Sequence, residues 1–297
     1  MTKTASGLGK EFDHILRREE PLSQHTWFRL GGVAEYFAEP TSVDELAALV
    51  RRCREQNLPV RILGGGSNIL VRDEGVPGVV CRLDAPAFSQ ISTKGDRATA
   101  SGGAKLGHVI SVTVRDGLAG LEPLVGIPGT IGGALHGNSG SRGGDIGQWT
   151  CRAAVMTRSG EIVERGRNEM VFAYRQSSLD ELVILEAEFQ LEPENPDELT
   201  KRMQKQWIVK KAAQPMTHQN SGCIFKNPRG LSAGMLIENA GLKNTRVGGA
   251  EVCDRHANFI VTTAEATGKD VLKLIDLVRS RVAERLGVEL ETEIEIW

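Results

Sequence analysis

The chain is 297 residues long with a formal net charge of −2; charged residues make up 25% and the AVILMFWYC set 40%. That length exceeds what one hydrophobic core usually serves, so more than one domain is expected, and the composition excludes disordered and fibrous classes. Binding to a phosphate backbone draws on a basic excess this chain lacks, which removes nucleic acid as a partner and leaves room for a local anion pocket.

The N-terminal stretch, residues 1–10, has no apolar run of a secretory leader, and nowhere do about eighteen apolar residues follow one another. A cytoplasmic chain without membrane insertion is expected. The cysteines, Cys53, Cys81, Cys151, Cys223 and Cys253, are odd in number and scattered with no CxxC pair, which fits reduced thiols. Each reads as a small buried apolar residue except Cys223.

The segment TSVDELAALVRRCREQN at 41–57 sets an N-cap before Val43, Leu46, Leu49 and Val50 at helical spacing, so a helix is predicted there. Residues 60–63 form a short apolar strand that runs into Gly64, Gly65, Gly66, Ser67 and Asn68, after which an apolar run resumes at 69–71. Strands are also predicted at 78–83, around 98–103, and at 153–157, 161–164 and 183–191, with Ser159 and Gly160 as a hairpin turn. Residues 192–197, polar with two prolines, are the best linker. A helix over 270–286 carries Val271, Leu274, Ile275, Val278, Val282 and Leu286 on one face and ends at Gly287; an alternating strand follows over 288–297. No fixed-period repeat appears, which argues against solenoids and propellers.

Two glycine clusters carry the first functional signal: residues 64–68, and the run Gly126, Ile127, Pro128, Gly129, Thr130, Ile131, Gly132, Gly133, followed by Asn138, Ser139 and Gly140. Consecutive N–H groups with no Cβ in the way, helped by Ser and Thr hydroxyls, can wrap a pyrophosphate; tight turns between strands explain the same glycines equally well. Neither GxGxxG nor GxxxxGK[ST] occurs, so Rossmann and P-loop domains are disfavoured. A dinucleotide here would be held by two loops distant in sequence.

Taken together, HT at 25–26 with Gly31 and Gly32, LGGGSNILV at 63–71, GIPGTIGGA at 126–134, YRQS at 174–177, GCIFKNP at 222–228, the AGMLIENAGLK run at 233–243, GGAEV at 248–252 and HANFIV at 256–261 resemble the UDP-N-acetylenolpyruvoylglucosamine reductases over nearly the whole chain. The short passage from Tyr174 into the strand ending near Leu191 resembles the family's shorter subtype. The resemblance implies an α/β (α+β) chain with an FAD-binding fold of the vanillyl-alcohol-oxidase (PCMH) type. Its FAD-binding subdomains would span 1–85 and 86–192, and a C-terminal substrate-binding α+β domain 197–297. It also implies noncovalent FAD, NADPH as hydride-donating cosubstrate, a UDP-sugar substrate in peptidoglycan precursor synthesis, and no required oligomer. Gly64, Gly65, Gly66, Ser67, Asn68, Gly126, Pro128, Gly129, Thr130 and Gly133 become flavin pyrophosphate loops.

Hydride addition to an enolpyruvyl ether builds charge on the adjacent carbon and its carboxylate, so the site must stabilise an anion and then protonate carbon. By resemblance Arg175 supplies the planar cation for the carboxylate; for an arbitrary arginine a surface ion pair is the commoner role. The resemblance also singles out Glu293, whereas the period-2 tail alone would put Glu289, Glu291, Glu293 and Glu295 on one solvated face. A carboxyl beside a substrate carboxylate is expected to keep its proton and donate a hydrogen bond. Cys223 stands where the family's commonest pattern has the serine that gives a proton to carbon; a thiol suits that role, and a water molecule is the alternative donor. Lys226, Asn227 and His256 are the candidates for sugar-nucleotide contacts, with a purely structural His256 as the alternative. An oxidase of the same fold, or a nonenzymatic flavin-binding module, would also keep the glycine loops; neither has a need for FKNP and HANF.

Overall fold

Helices form where apolar residues recur at helical spacing behind a polar cap. The computed structural model describes residues 8–297; residues 1–7, part of the N-terminal stretch read above as lacking a leader, lie outside them. It divides into two compact units. The first gathers the described residues to Glu20 with Ala34–Gly65 and Pro77–Trp207, and the second gathers Pro21–Val33, Gly66–Val76 and Ile208–Trp297.

In the first unit, α1 (Val43–Glu55) starts at Ser42, whose hydroxyl accepts from the N–H of Glu45 at 3.2 Å. Leu46, Leu49, Val50 and Cys53 on its inner face pack with Val79 and Cys81 of the strand Val76–Arg82. That strand is central in a four-stranded sheet ordered Leu16–Pro21, Val33–Ala38, Val76–Arg82, Val60–Leu63, the last pair parallel. A second core lies on a five-stranded antiparallel sheet ordered Ile162–Gly166, Thr150–Met156, Val183–Gln190, Arg97–Ser101, Ile91–Lys94. Helices α2 (Leu106–Arg115) and α3 (Ile131–His136) bury Val109, Ile110, Ile131 and Leu135 there, each worth about 1.5–3 kcal/mol if fully withdrawn from water.

The linker segment is built into this unit. Glu192–Pro193 pairs with Leu118–Ala119, and the Asn195 side chain accepts from the N–H of Asp197 at 2.8 Å, capping α4 (Pro196–Ala213). Arg202 on α4 binds Glu122 and Glu194, and the unit runs on to Trp207 inside the helix.

In the second unit, α6 (Gly268–Leu286) covers a three-stranded antiparallel sheet of Arg246–Val247, Ala250–Val252 and Ile260–Thr262, and α5 (Ala233–Asn239) packs on α6. Thr267 and Asp270 form a capping box at the start of α6, and Gly287 closes it in the left-handed region at φ 68°. Val271, Leu274, Ile275, Val278 and Val282 fill the core against Ile237, Val252 and Ile260. Asp73 adds its carboxylate to the N–H groups of Gly268 and Lys269 at 2.7 and 3.0 Å.

The alternating strand expected over 288–297 does not form. Only Glu295–Ile296 is a strand, parallel to Ile69–Leu70, with an isolated bridge between Thr292 and Phe225. Leu290 and Ile294, four residues apart, are the buried positions, so the tail bends between two partners instead of alternating. Among the described residues no helix is long and apolar enough to cross a membrane.

Candidate active site

The loop after the strand Val60–Leu63 belongs to both units, with Gly64 and Gly65 in the first and residues 66–68 in the second. In the first unit it meets the second glycine cluster. A Cβ on Gly65 would lie 2.7 Å from the Cα of Gly129, and one on Gly64 would lie 2.9 Å from the Thr130 hydroxyl. Gly126 and Gly129 have φ of 81° and 110°, which only glycine adopts at ease. Gly129 accepts from the N–H of Leu106 at 3.1 Å, and Thr130 caps α3 by accepting from Gly133 N–H at 3.4 Å. The two loops thus touch through bare backbone. Gly64, Gly65, Gly129 and Thr130 are half-buried, Pro128 and Gly133 exposed, and the Thr130 hydroxyl proton stays available to donate. The bare N–H groups and the Thr130 hydroxyl of this cradle are a donor set that fits a pyrophosphate such as that of FAD.

Arg175 also lies in the first unit, in the two-residue turn between Phe172–Ala173 and Gln176–Ser177. Its φ is 55°, and its guanidinium lies 5.3 Å from the centre of the exposed Tyr174 ring.

In the second unit, the rest of the glycine loop anchors the remaining candidates. Gly66 has φ of 63°, and a Cβ there would strike the His25 carbonyl at 2.0 Å. The buried Ser221 hydroxyl donates to the Ser67 carbonyl at 2.9 Å, and Asn68 donates its side-chain N–H to the Glu293 carbonyl at 3.1 Å. Cys223 bridges Phe259, and the next residue, Ile224, accepts from Glu293 N–H at 2.7 Å. The structure therefore brings Cys223 and Glu293 onto paired segments. Of the four tail glutamates Glu293 alone is half-buried, which separates it from Glu289, Glu291 and Glu295.

Lys226, half-buried, reaches the exposed Glu291 carboxylate at 2.6 Å. Asn227 accepts from Ala233 N–H at 2.9 Å and so supports the start of α5. His256 packs edge-on against Phe259 with ring centres 4.7 Å apart, and its Nδ1 accepts from Asn258 N–H at 3.3 Å. Burial holds the His256 ring below the ordinary histidine pKa, and the charge of Lys243 adds to this.

Two buried asparagines do work that was not foreseen. Asn258 takes the Phe225 N–H on Oδ1 at 3.0 Å and donates from Nδ2 to the Phe225 carbonyl at 2.8 Å. Asn220 accepts from Gly222 N–H at 3.0 Å. Both hold the segment that carries Cys223. Their presence in HANF and beside GCIFKNP was visible, but a side-chain amide's partner is chosen by tertiary contact. Cys53, Cys81 and Cys253 are buried; Cys151 is half-buried, and its thiol donates to Glu188.

Residues 34–166 match the family model described as FAD binding domain, and residues 214–297 match the one described as UDP-N-acetylenolpyruvoylglucosamine reductase, C-terminal domain. The first match, on a chain whose glycine loops meet as described, defines an FAD-binding protein. The UDP-N-acetylenolpyruvoylglucosamine reductase 2 of Symbiobacterium thermophilum is 43% identical over 95% of this chain and 92% of its own length. The reductase of Heliobacterium modesticaldum is 42% identical over 97% and 92%. The crystal structure of the reductase from Thermus caldophilus superposes with a TM-score of 0.81 at 36% identity, covering 95% of this chain and 98% of that one. The chain belongs to the UDP-N-acetylenolpyruvoylglucosamine reductase family, and it is an FAD-dependent oxidoreductase with the α/β FAD-binding fold of the vanillyl-alcohol-oxidase type. A Bermuda grass isoallergen, BG60, shares the fold at a TM-score of 0.50 and 13% identity over 94% of this chain and 59% of that one.

Proposed function

We propose that this chain reduces UDP-N-acetylglucosamine enolpyruvate to UDP-N-acetylmuramate in the cytoplasm, using NADPH as hydride donor, in peptidoglycan precursor synthesis. The observation that carries this reading is the pairing of the Cys223 and Glu293 segments, through Ile224 and Glu293, in a chain of this family. Gly64, Gly65, Gly129 and Thr130 would hold FAD, which when bound would supply the hydride taken from NADPH for the terminal carbon of the enolpyruvyl group.

The remaining work falls to side chains. Arg175, a permanent cation, engages the substrate carboxylate, on which the electron pair released from the double bond is partly delocalised. The Cys223 thiol gives its proton to the adjacent carbon and leaves as thiolate, to be reprotonated from solvent. Glu293, protonated beside the substrate carboxylate, donates a hydrogen bond as charge develops. Lys226, Asn227 and His256 line the sugar-nucleotide end. Lys226 already lies against the exposed Glu291 carboxylate, so a diphosphate would replace one anion by another. Three cores, one around α1, one around α2 and α3, and one around α5 and α6, support two FAD-binding subdomains and a substrate domain, with the first unit running on to Trp207 and the third core also taking in Phe28, Leu30 and Leu70.

The test is flavin absorbance in the purified protein, followed by NADPH consumption with and without UDP-N-acetylglucosamine enolpyruvate. Consumption that depends on this substrate is expected. Flavin that turns over with oxygen and an alcohol but ignores the enolpyruvyl ether sinks the reading.

A further inference from the structure

We infer that Asn138 is a positioning residue for Arg175. The inference rests on the reading of Arg175 given above. Asn138 follows α3 and its C-cap Gly137, is 1% exposed, and has φ of 40°, a left-handed conformation that asparagine tolerates better than other residues with a Cβ. Both ends of its side-chain amide are engaged. Oδ1 accepts from Gly147 N–H at 3.1 Å, and Nδ2 donates to the Ala173 carbonyl at 2.8 Å.

Ala173 is the last strand residue before the turn that holds Tyr174 and Arg175, and it pairs with Gln176 on the other side. The strand pairing is two residues deep on each side, extended by the bonds between Val171 and Ser178, and a hairpin this short does not hold a fixed geometry by its own ladder. Asn138 supplies an anchor at the base of that turn. A second anchor is shared with the same partner: a Cβ on Gly147 would lie 2.3 Å from Cγ of Phe172, so the glycine bonded to Asn138 is also the floor on which the Phe172 ring rests. A third is the His136 ring, at 3.3 Å from the Leu179 carbonyl just past the hairpin. Thr130 at the start of α3 belongs to the glycine cradle and Asn138 just beyond its end belongs to the arginine hairpin, so one short helix spans both. A guanidinium whose supporting backbone is free to shift by about 1 Å loses much of its value to a transition state.

Asn138→Gly keeps the left-handed backbone without steric cost and removes the amide, while Asn138→Asp keeps the acceptor for Gly147 and loses the donor to Ala173. Holoenzyme of each variant, alone and combined with Arg175→Lys, is followed by stopped flow through reduction by NADPH and reoxidation by UDP-N-acetylglucosamine enolpyruvate. FAD content and the reduction step are expected to stay within about twofold of the parent, while reoxidation slows roughly tenfold, the scale of one lost buried hydrogen bond. Calorimetric affinity for the enolpyruvyl substrate is expected to fall, with that for NADPH unchanged. On the Arg175→Lys background the Asn138 change is expected to add less than about twofold, because its effect passes through the arginine.

Equal losses in both half-reactions, or a full tenfold loss on the Arg175→Lys background, overturn the inference. So does failure of both Asn138 variants to fold with parental FAD content, which would make the residue scaffold only. Arg175→Lys run alone separates the two levels. If it slows both halves equally, the reading of Arg175 fails and the inference with it; if it is selective and the Asn138 variants are not, only the role of Asn138 fails.

Discussion

The main-chain N–H of Glu293 donates to the carbonyl of Ile224 at 2.7 Å, which ties the tail of the chain to the residue beside Cys223. Asn258 clamps the next residue, Phe225, through both its backbone groups, and Lys226 N–H donates to the Glu291 carbonyl at 2.8 Å. Three successive residues after Cys223 are thus fixed by partners far off in sequence. A proton donor to carbon needs such support, since a small misplacement costs more than its bond is worth.

Cys223→Ala is expected to leave flavin reduction by NADPH intact and to lower turnover by about a hundredfold or more, the range of a lost general acid. Cys223→Ser is expected to retain substantial activity, and the alkaline fall in rate caused by thiol ionisation should move to higher pH in that variant, because an alcohol holds its proton. Native alkylation should inactivate by modifying Cys223, with substrate protecting. Burial pushes the Cys53 thiol up to about 11 and the Cys81 thiol higher still, so both should resist the reagent. Parental turnover in Cys223→Ala would mean that water delivers the proton.

Gly65→Val is expected to yield protein with little FAD, read from the ratio of flavin to protein absorbance. The cause is more specific than a side chain colliding with the ligand: the added Cβ meets the Cα of Gly129 at 2.7 Å, so the two loops must part. Overpacking of this kind typically costs about 1–3 kcal/mol, and the melting temperature of the apoprotein should fall with it. Full FAD content would show that the loops can separate without harm to the cradle.

Elements fixed by local chemistry were legible. The helix behind Ser42, the strand at Val60–Leu63 and the helix ending at Gly287 each carry their cap or turn residue within a few positions. The tail was not, because its pairing with Ile69–Leu70 and Phe225 is decided across more than two hundred residues in the first case, and alternating glutamates alone suggest a solvated strand. The residue types of the site could be read from motifs, but the supporting asparagines could not be ranked above any other polar residue. Asn138 and Asn258 each act through a pair of amide contacts that has no periodic signature.

His256 gives a pH signature. With burial holding its folded pKa below the unfolded value of about 6.5, the unfolded chain binds a proton that the folded chain refuses in the interval between the two. Its contribution to stability is therefore present above about pH 6.5 and lost as pH falls through that interval. The melting temperature is expected to drop between about pH 7.5 and about pH 5, with a shallower drop in His256→Gln. Equal slopes in the two proteins would show that the ring protonates as freely folded as unfolded.

Glu293 can be tested for its protonation state by side-chain replacement. Next to a substrate carboxylate a charged glutamate would repel the developing negative charge, whereas a protonated one donates a hydrogen bond to it. Glutamine preserves length and an N–H donor but can never ionise. If the protonated form is the working one, Glu293→Gln should keep a sizeable fraction of the rate of substrate-driven reoxidation, and Glu293→Ala should lose about a hundredfold, the scale of one removed donor to a developing anion. Flavin reduction by NADPH should change little in either, since no carboxylate is built up in that step. The main-chain bond to Ile224 is kept in both variants, so folding and FAD content give a control for displacement of the tail. Equal losses in Glu293→Gln and Glu293→Ala would mean that the carboxylate form, or its exchangeable proton, is what the reaction uses.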